Sequence, residues 1–131
     1  DVYKRQLRDG DLVLTSGQLP FVAGALPATG KVGAEVTPER AQELARACAV
    51  NAVAAVHELV GDLDRVAQVV KVVGFVASDP AFTGQPGVVN GASDVLAEIF
   101  GEAGRHARSA VGVAVLPMDA PVEVEITVRV R

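Results

Sequence analysis

Two charged groups sit at fixed places on otherwise apolar runs near the C-terminus of this 131-residue chain. Arg108 precedes Ser109-Ala110-Val111-Gly112-Val113, in which Val alternates with small residues. A turn containing Pro117 follows. Then Val122-Glu123-Val124-Glu125-Ile126 places Glu on one face of a strand and Val or Ile on the other. A guanidinium offers a planar fork that matches a carboxylate in two hydrogen bonds. In a regular strand Ala110, Gly112 and Ala114 share the face of Arg108 and leave room for a ligand or another chain. A carboxylate such as Glu123 can orient a water and accept its proton. The pattern suits a small site that grips a carboxylate and handles a water or a proton. Plainer readings stand beside it. Arg108 could sit in a surface salt bridge, Glu125 on a solvated outer face, Ser16 in a turn before Gly17, and Asn90 as a local cap at a helix start.

His106-Ala107-Arg108-Ser109 with Val122-Glu123-Val124-Glu125 stands downstream of Leu14-Thr15-Ser16-Gly17-Gln18-Leu19-Pro20 and Val89-Asn90. This combination resembles the signature of the Rid family, the reactive-intermediate deaminases also called the YjgF family, over residues 7 to 131. The resemblance implies a chorismate-mutase-like fold and a cofactor-independent enamine/imine deaminase, with no metal. Its substrate would be a small 2-imino or 2-enamino acid, and its products a 2-keto acid and ammonia. It implies that Arg108 clamps the substrate carboxylate and that Glu123 holds the position of the family's functional Glu. Ser16 and its neighbouring backbone would help hold the substrate, and Asn90 would line the site. Tyr3 falls at the spacing from Ser16 where the family keeps a Tyr. Two departures stand out. His106 occupies a position where the family often has Pro, and Ala110 one where deaminase members often have Cys. Two other functions stay open within the resemblance: a regulatory protein that binds a small acid without turnover, and an endoribonuclease.

Other chemistry finds little support. Gly24 to Lys31 superficially resembles a phosphate-binding loop, but five residues separate its Gly pair and Val32 follows the Lys. His57, His106 and Cys48 are too far apart in sequence to suggest a metal site. No nucleophile elbow surrounds Ser16. Cys48 falls on an apolar helix face and reads as inert packing.

The elements that would position these residues follow from composition and periodicity. Half the residues are apolar but only 4% are aromatic, so the core must be built from Val, Ala and Leu. A net charge of -4 argues against broad binding to a phosphate backbone and weakens the RNA reading. The lone Cys excludes an internal disulfide and, with no bilayer-length apolar run and no signal-like stretch, points to a cytoplasmic protein. Asp1-Val2-Tyr3-Lys4-Arg5-Gln6 resembles a translated sequencing adapter. Residues 1–6 are therefore set aside as a candidate non-native leader, and 7–131 are read as one domain.

After an Asp9-Gly10 turn, Asp11 to Ser16 reads as a strand, and Pro20 to Gly33 as a loop with a short strand near Phe21-Val22. Thr37-Pro38 starts a helix whose apolar face carries Ala41, Leu44, Ala45, Cys48, Ala52, Ala55, Val56 and Leu59, stopped by Gly61. Val66 to Val76 is a buried strand, and Ser78 to Gly87 a loop. A second helix then places Val89, Ala92, Leu96, Ile99 and Phe100 on one face and ends before Gly101 or Gly104. With the two C-terminal strands, this predicts a two-layer α+β domain: a mixed sheet with two helices on one face.

A geometric consequence concerns assembly. Arg108 and Glu123 each begin a strand, and the short Pro117 to Ala120 connection makes the two strands antiparallel. Their starts would then lie at opposite ends of the sheet, very roughly 15–20 Å apart for strands of five or six residues. One small substrate could not touch both in one chain. The expectation is a homotrimer whose clefts take Arg108 and Glu123 from adjacent chains, and the resemblance implies such a trimer as well.

Overall fold

The computed structural model describes residues 2–131. Gly10, at a positive φ that favours glycine, sits in a tight hairpin between β1 (Gln6–Asp9) and β2 (Leu12–Thr15). The first strand thus begins with the last residue of the segment set aside as a leader. No strand forms near Phe21-Val22, where Val22 and Ala25 make only an isolated bridge.

Helix α1 spans Pro38–Val60. Thr37 caps it, its Oγ1 accepting from the Arg40 N–H at 3.1 Å, and Gly61 ends it at a φ of +84°. Its buried face holds seven of the eight expected residues. Leu59 is exposed, and Val60 takes the inward place in the last turn. Strand β3 follows as Val66–Ala77. Helix α2 spans Gln85–Phe100 and starts within the segment read as loop, with Pro86 in its first turn. Val88, Val89, Ala92, Val95 and Leu96 face the core. Ile99 is exposed instead, because it lies in the last turn, just before Gly101 ends the helix and a single 3-10 turn, Gly101–Gly104, follows. Strands β4 (Ala107–Val113) and β5 (Val122–Val130) complete the chain.

The sheet order is β1-β2-β5-β3-β4. Strands β3 and β4 run parallel, as the crossover through α2 requires, and the other pairs are antiparallel. Both helices pack on one face. Val13, Val69, Val72, Val76, Val122, Val124, Ile126 and Val128 meet them there and are almost fully buried. Each such side chain contributes on the order of 1.5–3 kcal/mol relative to exposure. Close approach fixes α2 on both sides. A Cβ at Gly91 would lie 2.0 Å from the Gln42 carbonyl oxygen of α1, and one at Gly74 would lie 2.5 Å from a Val89 methyl.

The opposite face of the sheet carries no helix. Phe75, Val73, Glu123 and Glu125 alternate with the buried positions of β3 and β5 and lie on this open face. Leu14 and Val111, on the same face, are 41% and 44% exposed.

Candidate functional site

The candidate residues fall into two groups on opposite faces of the sheet. The first lies under α2. Arg108 is the second residue of edge strand β4 and pairs with Val72, whose side chain faces the helices. Its guanidinium therefore reaches α2. Nη1 donates to the Asn90 Oδ1 at 2.8 Å and to the Ser93 Oγ at 3.2 Å. Both hydrogens of Nη1 are thereby used. Among the described residues, Nε and Nη2 have no partner and Arg108 joins no ion pair. The free Nε–Nη2 edge is a two-pronged fork of the kind that fits a carboxylate.

Asn90 belongs to this group, though not as a cap. It sits in the sixth position of α2, whose N-cap is Gly84, and its side chain braces the arginine. Ser93 and His106 complete the group and were not singled out as site residues from the sequence. Ser93 lies three residues after Asn90, on the same helix face. That spacing was the one available signal for it.

The second group lies at the start of β5 on the open face. Glu123 stands directly across from Phe75. Its carboxylate rests against the loop after β2, where a Cβ on Gly17 would fall 2.2 Å from Oε2. Gln18 fixes that loop by exchanging backbone hydrogen bonds with Val124 at 2.8 and 3.0 Å. Burial, and secondarily the Glu125 charge, push the Glu123 carboxyl above the usual carboxylate range. A carboxylate so placed holds a proton more readily than one in water.

Ser16 and Tyr3 gather near this second group. The Ser16 Oγ donates to the Lys4 carbonyl at 2.6 Å, so in this chain its hydroxyl holds the N-terminal segment. Tyr3 is exposed, and with Ser16 it lines a depression of about 310 Å³. Tyr3 also borders a neighbouring cavity of about 500 Å³ lined by Arg5, Gly17, Gln18, Leu19, Phe21 and Asn51. Each guanidinium nitrogen of Arg5 donates there, to Gln18, Glu58 and the Asn51 carbonyl. Arg5, Gln18 and Asn51 were missed because their roles depend on contacts between distant segments.

The two groups do not meet within one chain, but the reason differs from the expected one. Arg108 aligns with Val72 and Glu123 with Phe75, an offset of three residues along β3. That is about 10 Å along the strands rather than 15–20 Å, with two strand spacings, again about 10 Å, across them. Strand β3 lies between β4 and β5 and sets this register. The decisive separation is the sheet itself, since the two side chains leave it on opposite faces.

Cys48 is fully buried, its Sγ donates to the Val122 carbonyl, and burial pushes the thiol far up, as inert packing requires. Among the described residues, no three His, Cys, Asp or Glu side chains gather closely enough to hold a metal ion. No described helix is long and apolar enough to cross a membrane.

Known proteins match this architecture along nearly its whole length. The family described as "YjgF/chorismate mutase-like, putative endoribonuclease" matches residues 3–128. Protein TCP17 of Trypanosoma cruzi is 52% identical over 119 residues, spanning 88% of this chain and 73% of that protein. The crystal structure of Atu1372 from Agrobacterium tumefaciens is 46% identical, with a TM-score of 0.97 over 99% of this chain and 82% of that one. The YjgF gene product of E. coli is 29% identical, with a TM-score of 0.68 over 98% and 88% of the two chains. The protein belongs to the YjgF/chorismate-mutase-like family.

Proposed function

We propose that the protein is a cofactor-independent deaminase of small 2-imino and 2-enamino acids, working at clefts between copies of the chain in a homotrimer. The observation that carries this reading is the pair of half-sites: a braced arginine with a free fork on one face, and a partly buried carboxyl of raised proton affinity on the other. A carboxylate substrate would take the Nε–Nη2 edge of Arg108. Glu123 of the adjacent chain would accept a proton from water as the oxygen attacks C2 of the protonated imine. The proton then passes to the amino nitrogen of the tetrahedral intermediate, Glu123 takes the hydroxyl proton as the C–N bond breaks, and ammonia leaves a 2-keto acid. A protonated imine is already electrophilic, so positioning and proton transfer can carry the reaction. The open sheet face, with Leu14 and Val111 part-exposed, gives copies of the chain an apolar surface to share. Tyr3 and Ser16, the latter next in sequence to the Gly17 that Glu123 rests against, would line the cleft.

Complementation tests both halves of the proposal. Arg108→Ala and Glu123→Gln are each expected to be inactive on an imine generated by an amino-acid oxidase. Co-expressed in equal amounts, they should form trimers in which about a quarter of the clefts carry both native residues, and activity should return to about that fraction. Inactive mixtures from subunits shown to mix would overturn the shared site, and so would a monomer at micromolar concentration in light scattering. Binding of 2-oxobutanoate without imine turnover would make the protein a small-acid binder. Cleavage of RNA that survives stringent purification and depends on these residues would favour a nuclease.

A further inference from the structure

His106 holds a place that the deaminase reading does not use. It lies between the 3-10 turn and β4, and its ring is tied at both ends. Nδ1 is 2.6 Å from the Gly104 carbonyl oxygen, and Nε2 is 2.8 Å from the Ser93 Oγ. The Gly104 anchor is itself closely packed. Gly104 is buried against α2, and a Cβ there would lie 2.4 Å from the Leu96 carbonyl oxygen.

Donor and acceptor chemistry orients the whole chain of bonds. A carbonyl can only accept, so Nδ1 of His106 must carry a hydrogen. A guanidinium can only donate, so the Ser93 Oγ must accept from Arg108. In the neutral ring Nε2 is then a lone pair, and the single Ser93 hydroxyl hydrogen points at it. In this arrangement Ser93 donates to His106 and accepts from Arg108. Without the imidazole, that hydroxyl could turn its hydrogen toward the guanidinium.

We propose that His106 is a positioning residue for the carboxylate clamp: through Ser93 it fixes the Arg108 guanidinium so that the Nε–Nη2 edge stays aimed at the ligand. The inference rests on the reading of Arg108 as the clamp. Asn90 supplies one brace directly and His106 supplies the other through Ser93.

Two measurements test it. Nitrogen-15 NMR of histidine-labelled protein should show the neutral His106 ring as the Nδ1–H tautomer, and the Nε2–H tautomer would overturn the proposal. Binding of 2-oxobutanoate, followed by titration calorimetry, gives the second readout. Ser93→Ala and His106→Phe should each weaken it about five- to tenfold. The double variant should be no weaker than either single one, because both changes cut the same chain. Ser93→Thr keeps the hydroxyl and should bind like the native protein. Native affinity in Ser93→Ala, or losses that multiply in the double variant, would overturn the relay. Arg108→Ala separates the two levels of the argument. If it alone loses binding, the clamp stands and the relay falls. If it binds normally, the clamp reading itself falls.

Discussion

The two proposed half-sites are built in opposite ways. Under α2, polar groups hold one another: Arg108 donates to Asn90 and Ser93, Ser93 bonds His106, and His106 bonds Gly104. On the open face, Glu123 is seated by shape, between Phe75 and the bare backbone of Gly17. The first half is organised by directional bonds before any ligand arrives, which lowers the ordering cost of binding. The second is organised by exclusion, which raises the proton affinity of a carboxyl without fixing it through hydrogen bonds. The first arrangement suits a group that must aim, and the second a group that must exchange a proton.

The largest effects should follow from disturbing the seated carboxyl. Glu123→Gln removes the proton acceptor and should cut imine turnover by about 100-fold or more, the usual range for a general base. Gly17→Ala should come close to it although Glu123 is intact. A methyl 2.2 Å from Oε2 must push the carboxylate aside, and a displacement near 1 Å can cost about 100-fold. Both variants should keep their affinity for 2-oxobutanoate. Native turnover in Gly17→Ala would show that the carboxylate position does not matter. The braced half should respond differently. Arg108→Lys keeps the charge but loses the fork, and one charge-assisted contact is worth about 1.5–3 kcal/mol. Keto-acid affinity should therefore fall about tenfold or more, and calorimetry at native affinity would remove the fork from the argument.

The contrast also explains what could be read from the sequence. The helix-facing strands, the Thr37 cap and the Gly61 stop were legible because burial and capping impose local patterns. Arg108 and Glu123 stood out as charges on apolar strands, and the resemblance to the Rid family pointed to Ser16 and Asn90. The relay through Ser93 and His106 was not legible. His106 showed only as a departure from Pro and as a rejected metal ligand, and its partners on α2 and in the 3-10 turn depend on the α2–sheet packing. The register was not legible either. Both strand starts are visible in the sequence, but that β3 lies between β4 and β5 is decided by the crossover through α2. That topology puts Arg108 and Glu123 on opposite faces with only a three-residue offset.

The smallest effect sharpens the contrast most directly, because it reads stability rather than activity. Glu123 has a raised folded-state pKa, caused first by burial and then by the Glu125 charge. A carboxyl of this kind favours the folded state when protonated. That contribution is complete below the unfolded value, near pH 4, and is lost as pH rises through the raised folded value. In its ionised form Glu123 is therefore a mild liability. Glu123→Gln should melt about 1–2 °C above the native protein at pH 7, a small shift because the side chain is partly solvated. The difference should shrink toward zero by about pH 4, where both chains carry a neutral group at this position. Glu125→Gln should recover only the smaller, charge-dependent part. The braced side should show the reverse behaviour: Asn90→Ala leaves the Arg108 Nη1 short of a partner and should lower the melting temperature. A Glu123→Gln protein that melts below the native one at pH 7 would mean that the carboxylate is satisfied where it sits, and that both halves of the site are built for binding alone.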